Sequence, residues 1–200
     1  MTTRDEGERL RELGEEDRAL MLRVQRGDEA ALGSLMERWE LPVKSVIGRL
    51  LLNASEAEDL TQETFVRVWQ QREKFRADAA FRPWVFAVAI NLARNRLRWW
   101  RRRPGISLDE WSETQSPAIG GQGAVDPRGA ERMERAERAA AVRGAIAALS
   151  MELREAIVLF EYEQLSHSEI AAIVGATPKA VETRIYRARE KLRVALQQWV

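Results

Sequence analysis

The chain has no cysteine and only one histidine, His167, in its 200 residues. Without cysteine there are no disulfides, thiolate zinc sites or cysteine nucleophiles, and one histidine leaves no histidine metal cluster and no Ser-His-Asp triad. The longest apolar runs, such as IGRLLL and WVFAVAI, are far shorter than the roughly 20 residues that span a membrane. These absences argue against most enzyme classes, against a cofactor and against membrane insertion. The acidic N-terminus has no signal-peptide pattern, so we expect a cytoplasmic protein.

Charge is balanced in total and unevenly placed along the chain. The formal net charge is +1, with 32% charged and 45% hydrophobic residues. Residues 94–103 contain six arginines and no acid, and residues 179–193 contain six basic side chains against two glutamates, whereas acids gather at 55–63. A polyanionic partner is therefore indicated by the two basic clusters and not by the total charge.

The hydrophobic pattern predicts an all-α protein. Apolar residues recur at helical spacing, and no stretch alternates for long enough to form a sheet. Glycines and serines concentrate between residues 104 and 126, which is typical of a flexible linker. We therefore predict a charged lead-in at 1–16, a helical domain at 17–103, and a second helical domain at 127–200 that works independently of the first.

Three local signals in the first domain set helix boundaries. The first helix is expected over about 17–26, and Asp28 should cap the second. Pro42 should kink or break that second helix. Ser55 and Glu58 are spaced as a capping box for the third helix.

The segment LSHSEIAAIVGATPKAVETRIYRAREKL predicts two helices joined by a tight turn. Ser166 and Glu169 form a capping box, and Thr177 precedes Pro178 at the start of the next helix. Gly175 supplies the left-handed residue in the turn, which is typical of helix-turn-helix DNA binders.

The outer face of the second of these helices is polar and can enter a major groove. It is predicted to present Lys179, Glu182, Thr183, Tyr186, Arg187 and Glu190. The alternative is an ordinary helical hairpin with a charged outside. Few residues follow this helix, so no further domain is expected after it.

The stretch NLARNRLRWWRRRP combines asparagine, arginine and tryptophan on one helix. The polar positions spaced three or four apart are Asn91, Arg94, Asn95 and Arg98. Arginine beside tryptophan provides an electrostatic track and a stacking surface for unpaired bases. The alternative is that the tryptophans pack on a neighbouring helix, although Trp99 and Trp100 point about 100° apart, so at least one ring should be exposed.

The blocks AEDLTQETFVRVW, FRADAAFRPWVFAVAINLARNRLR and the helix-turn-helix segment resemble, in order and spacing, the extracytoplasmic-function (ECF) group of bacterial RNA polymerase sigma factors. The resemblance covers nearly the whole chain from about residue 17. It implies a sigma region 2 in the first domain, a sigma region 4 in the second, and a promoter-specificity subunit without enzymatic activity.

The resemblance also implies roles for particular residues. Docking on the clamp coiled coil of the polymerase's largest subunit is assigned to Asp59, Gln62, Glu63, Phe65 and Trp69. Contact with the melted minus 10 strand is assigned to Phe75, Arg76, Phe81, Asn91, Arg94, Asn95, Arg98 and Trp99, with Arg96 as a further phosphate contact. Recognition of the minus 35 duplex is assigned to Lys179, Glu182, Thr183, Arg184, Tyr186 and Arg187.

Two of these positions leave alternatives open. Glu182 either accepts from a cytosine amino group or pairs with Arg187 or Tyr186. Arg184 lies close to the inward face and either contacts DNA or pairs internally. The further partners that the resemblance implies are promoter DNA, the flap region of the polymerase and an anti-sigma factor.

Two other functions compete with this interpretation. A stand-alone helix-turn-helix regulator would use the N-terminal half as a sensing or dimerisation domain and would bind duplex without polymerase. A purely structural helical adaptor is disfavoured by the cluster of arginine and tryptophan.

Overall fold

The computed structural model describes residues 3–102 and 129–199, with side chains from Arg11 to Arg102 and from Met133 to Trp199. These ranges contain α-helices, two short 3-10 turns and no strand, which confirms the all-α prediction. No helix in them has an apolar stretch long enough to cross a bilayer. The expected linker at 104–126 lies outside the described residues. The helices are α1 Thr3–Gln25, α2 Glu29–Leu51, α3 Ala54–Gln70, α4 Phe81–Arg101, α5 Gly129–Ala147, α6 Met151–Glu161, α7 His167–Val174 and α8 Pro178–Ala195.

Helix α4 is the centre of the first half, where it packs against α1, α2 and α3. Its buried stripe repeats at helical spacing because each turn returns the same side to the core. The stripe consists of Phe81, Val85, Phe86, Ala89, Ile90 and Ala93. Trp39 of α2 meets the rings of Phe81 and Phe86 edge to face, with centroids 6.2 and 5.8 Å apart. These contacts fix which side of α4 faces outward.

Three helix boundaries differ from the prediction. Helix α1 begins at Thr3, inside the segment expected to be a lead-in. Helix α2 continues through Pro42, because buried side chains on both sides of the proline hold it to the core against a cost of about 3 kcal/mol. Helix α3 is capped by Asn53, whose Oδ1 accepts from the Glu56 N–H at 2.9 Å, so Ser55 lies inside the helix and does not cap it.

The second half follows the local signals closely. The Ser166–Glu169 capping box is present in both directions, and Gly175 adopts φ +69°. The Thr177 hydroxyl accepts from the Ala180 N–H at 3.2 Å, with Pro178 in the first turn of α8. The predicted helix-turn-helix is therefore formed by α7 and α8.

The two halves pack against each other, which corrects the expectation of independent domains. Helix α7 packs on α4, and α6 packs on α2. The Arg154 guanidinium donates to the Leu50 carbonyl at 2.7 Å, at the C-terminal end of α2, and also to the Ile146 and Leu149 carbonyls at 3.1 Å. A cation at helix C-termini is favourable because the unpaired carbonyls there are partly negative. Arg154 thus joins the end of the first half to the second.

Two glycine substitutions test the backbone conformation, one in the turn of the helix-turn-helix and one inside α2. Gly175→Ala is expected to lower the free energy of unfolding by about 1 kcal/mol, because a Cβ disfavours the left-handed conformation although space around it is open. Gly33→Ala, inside α2 and equally unobstructed, should raise it by about 0.5 to 1 kcal/mol. Urea denaturation measures both, and the same sign for the two changes would contradict this account.

Candidate nucleic-acid interface

Helix α8 buries one side and exposes the other. Val181, Ile185 and Ala188 are buried against the rest of the second half. The predicted outward face is exposed at Lys179, Glu182, Thr183, Tyr186 and Arg187, with Glu190 half-buried. Tyr186 is the aromatic residue of this face, and 66% of its surface is accessible. The helix therefore presents an exposed polar side that includes an aromatic residue.

The free chain pairs both of the residues whose roles were left open. Glu182 pairs with Lys179, with 2.9 Å between Oε2 and Nζ, and not with Arg187 or Tyr186. This hydrogen bond and the ammonium charge lower the pKa of Glu182 below its ordinary value. Arg184 turns inward, is 23% exposed, and pairs with Glu152 of α6 at 3.2 Å. Arg184 therefore supports the position of α8 and lies off its exposed face.

The outer side of α4 is the second polar surface. Asn91, Asn95, Arg98 and Trp99 are exposed. The Trp99 ring is 42% exposed and meets Trp100 edge to face at 5.2 Å, which confirms that at least one ring lies at the surface. The Arg98 guanidinium donates to the Asn95 side-chain oxygen. An aromatic ring, two amides and a cation thus lie along one side of a rigid helix.

Two of the arginines expected on this surface are engaged elsewhere. Arg96 forms an ion pair with Glu56 of α3. Arg94 forms two hydrogen bonds to Glu155 of α6, Nε to Oε1 at 2.6 Å and Nη2 to Oε2 at 2.5 Å. These bonds raise the pKa of Arg94. Sequence reasoning missed Glu155, because a glutamate within a mostly apolar segment carries no signal of a partner 61 residues earlier.

A cleft of about 540 Å³ lies where α4 meets the second half. The charged side chains that line it are Arg94, Arg98, Arg101, Glu152, Glu155 and Arg184. Neither the cleft nor the remainder of the described chain contains a cluster of histidine, aspartate and glutamate suited to a metal ion. The chemistry available at the cleft is ion pairing.

The aromatic residues of the loop before α4 belong to the core. Phe75 is 3% exposed and Phe81 is fully buried, with ring centroids 6.4 Å apart, and Phe75 also meets Trp84 at 5.3 Å. We expected these two rings to contact a base directly. Their burial does not fit that expectation. Arg76 is exposed, and its guanidinium forms two hydrogen bonds to Asp78 at 2.8 and 3.0 Å. The loop thus offers polar groups on a buried aromatic support.

The acidic side of α3 is a third exposed surface. Asp59 and Gln62 are exposed, and Glu63 is half-buried and pairs with Arg67 at 3.4 Å. Phe65 is buried, so its expected contact with a partner is replaced by a place in the core. Trp69 is half-buried beneath the Arg72 guanidinium at 4.5 Å.

Sequence reasoning missed Val66 on this surface, although it follows Phe65 directly. It is 52% exposed on α3. Two adjacent apolar residues on a helix point about 100° apart, so burial of Phe65 leaves Val66 outside. The surface of α3 therefore combines acids with an apolar side chain.

Two family models match the chain: Sigma-70 region 2 over residues 35–103 and Sigma-70, region 4 over residues 139–192. The RNA polymerase sigma-H factor of Pseudomonas aeruginosa is 38% identical over 184 residues, which are 92% of this chain and 95% of that protein. The ECF RNA polymerase sigma-E factor of Escherichia coli K12 is 34% identical over 88% of this chain and 92% of its own length. The chain belongs to the ECF group of RNA polymerase sigma factors. Sigma factors are initiation factors without enzymatic activity, so this chain acts by binding.

Solved structures agree with the fold of this sigma factor. The structure of CnrH in complex with the cytosolic domain of CnrY is similar with a TM-score of 0.68 and 28% identity, over 92% of this chain and 99% of that chain. A sigma factor from Bartonella quintana has the same fold, with a TM-score of 0.61, 23% identity and 82% of this chain covered. The family assignment decides against the stand-alone regulator and the structural adaptor.

The exposed face of α8 generates a salt-dependence prediction. Arg187→Ala is expected to weaken holoenzyme binding to promoter duplex and to reduce the slope of log K against log salt by about 1, because one phosphate contact is lost. Arg189→Ala is the matched control, since Arg189 is already held by Glu161 at 2.7 Å. Titration by fluorescence anisotropy at several salt concentrations measures the slope. Equal slopes for the two variants would contradict a phosphate contact at Arg187.

Proposed function

We propose that this sigma factor docks on core polymerase through α3, holds the melted minus 10 strand along α4, and reads the minus 35 duplex with α8. In this proposal residues 17–103 act as region 2, residues 127–200 act as region 4, and residues 104–126 link them. Residues 1–16 precede region 2 as a charged lead-in, most of which belongs to helix α1. The work takes place in the cytoplasm, where the polymerase and the promoter are found.

The single observation that supports this proposal most strongly is the division of α8 into two sides. Its apolar side is locked by Val181, Ile185 and Ala188, and its polar side is exposed over three turns. A helix held in this way can enter a major groove without rearrangement. Lys179 and Arg187 suit phosphates or guanine edges, whereas Thr183 and Tyr186 suit thymine methyl groups or the DNA backbone.

The proposed contact with melted DNA rests on the exposed residues of α4. Trp99 provides a stacking surface worth roughly 1 to 3 kcal/mol per base, and Asn91 and Asn95 provide amides for base edges. Flipping a base out of the duplex costs a few kcal/mol, which such contacts offset. Arg76 and Arg98 supply cations for the strand. Phe75 and Phe81 contribute as the support of the loop.

The proposed polymerase contact uses the acidic side of α3. Asp59, Gln62 and Glu63 suit a basic partner surface such as the clamp coiled coil of the largest subunit, and Val66 adds an apolar contact. Trp69 lies at the end of the same helix. We extend the proposal to the flap region of the polymerase, which would bind the second half of the chain, the half that contains α8.

We also propose regulation by an anti-sigma factor. The similar protein CnrH is bound to the cytosolic domain of CnrY in its structure. Exposed acids and Val66 on α3 offer such an inhibitor a surface that polymerase would otherwise use.

A charge reversal on α3 tests the docking surface. Asp59→Lys is expected to weaken binding to core RNA polymerase by at least about tenfold, because the new cation opposes a basic partner. Glu15→Lys makes the same change on the exposed side of α1, outside the proposed surface, and should leave affinity within about twofold. Co-elution and titration with purified core polymerase measure the affinities. Equal affinity of Asp59→Lys and Glu15→Lys would contradict docking through α3, and failure of the unaltered chain to bind core would overturn the proposed function.

Run-off transcription tests the complete activity. Core polymerase with the unaltered chain is expected to initiate from the promoter upstream of its own gene, whereas Trp99→Ala should reduce open-complex formation by about tenfold through the lost stacking energy. Val194→Ala removes another exposed apolar side chain, outside the proposed strand-binding surface, and serves as the control. An unchanged yield with Trp99→Ala would contradict the assigned role of α4.

A further inference from the structure

Glu155 is an unusual residue because it is a carboxylate in an otherwise apolar stripe. It is 1% exposed, and the next four residues of α6 are also buried. A buried carboxylate is strongly unfavourable unless a cation and hydrogen bonds compensate it. Its partner, Arg94, belongs to the other half of the chain. If the two halves separate, Glu155 loses Arg94 as its partner. Water or another cation must then compensate its charge.

The geometry of this pair is that of arginine with a phosphate. Arg94 presents Nε and Nη2 to the two carboxylate oxygens, at 2.6 and 2.5 Å. The same two parallel donors form the bidentate contact that arginine makes with a phosphate group. Arg94 cannot present this pair of donors to Glu155 and to a nucleic-acid phosphate at the same time.

Two further arginines of the first half contact the second half at the same interface. The Arg82 guanidinium donates to the Glu163 carbonyl and lies 3.9 Å from its carboxylate. The Arg49 guanidinium lies 4.0 Å from the ring centroid of Tyr162. In these contacts and in the Arg94–Glu155 pair the first half supplies the cation, whereas at Arg154 and the Leu50 carbonyl the second half supplies it.

We propose that Glu155 is an internal competitor for phosphate at Arg94. When the two halves are packed together, Arg94 on the melted-strand surface of α4 therefore cannot bind DNA. This inference rests on the proposed function of α4. In the closed chain Arg94 is bound by Glu155, while the outer face of α8 stays exposed. Separation of the halves frees Arg94 for a strand. Closed and open states then differ in their affinity for single-stranded DNA more than in their affinity for duplex.

The absence of cysteine allows the distance between the halves to be measured directly. Ser34→Cys on α2 and Gln197→Cys after α8 are exposed and give two specific dye sites in the full chain. Energy transfer between the dyes reports closure. Anisotropy of a labelled 20-nucleotide single strand of mixed sequence reports binding, so that phosphate contacts dominate over any one base order.

Glu155→Gln is expected to lower energy transfer and to tighten single-strand binding about five- to tenfold. The charge-assisted pair is weakened, and apparent affinity rises with the open fraction. Glu161→Gln is the matched control, because Glu161 lies on the same helix and pairs with Arg189 inside the second half. It should leave both signals unchanged. Tyr162→Ala, at the exposed edge of the interface, should shift both signals in the same direction by about two- to fivefold.

Three results would overturn the inference. They are unchanged energy transfer in Glu155→Gln and Tyr162→Ala, lower energy transfer without tighter strand binding, and equal effects of Glu155→Gln and Glu161→Gln. If Glu155→Gln fails to fold, as judged by its thermal transition, Tyr162→Ala decides. Core-polymerase binding is scored separately, so a chain that binds core but fails these tests contradicts the competition alone.

Discussion

The orientation of α4 about its own axis is the constraint on which the rest of the structure depends. Its buried stripe, centred on Phe86 and Ile90, faces the core of the first half. That contact sends Asn91, Asn95 and Trp99 to the surface and directs Arg94 towards the second half. A rotation of one residue, about 100°, would bury the polar side and break the interface. The packing of α4 on the core therefore fixes both the candidate strand-binding surface and the Arg94–Glu155 contact.

Sequence reasoning succeeded where the signal is local. The capping box at Ser166, the left-handed Gly175 and the cap at Thr177 each depend on neighbours within four residues, and all three are present. The order of the helices followed from the spacing of apolar residues, which is also a local signal. The polar outer face of α8 needed only the 3.6-residue repeat and the inward apolar positions.

Prediction failed where the outcome depends on residues distant in sequence. Helix α2 runs through Pro42 because packing outweighs the local penalty. Phe65, Phe75 and Phe81 fit a binding motif as residue types, yet their neighbours enclose them in the core. The Arg94–Glu155 pair joins residues 61 positions apart, and no periodic pattern encodes it. The expected independence of the two halves failed at this same interface.

The central claim is that closure of this sigma factor and binding of a single strand at Arg94 exclude each other. It is tested most directly by energy transfer between dyes on the two halves of the unaltered chain, before and after single-stranded DNA is added. The account predicts a fall in transfer when the strand binds, because the surfaces joined by Arg94 and Glu155 separate. Transfer that stays at its free-chain value when the strand is bound would contradict it.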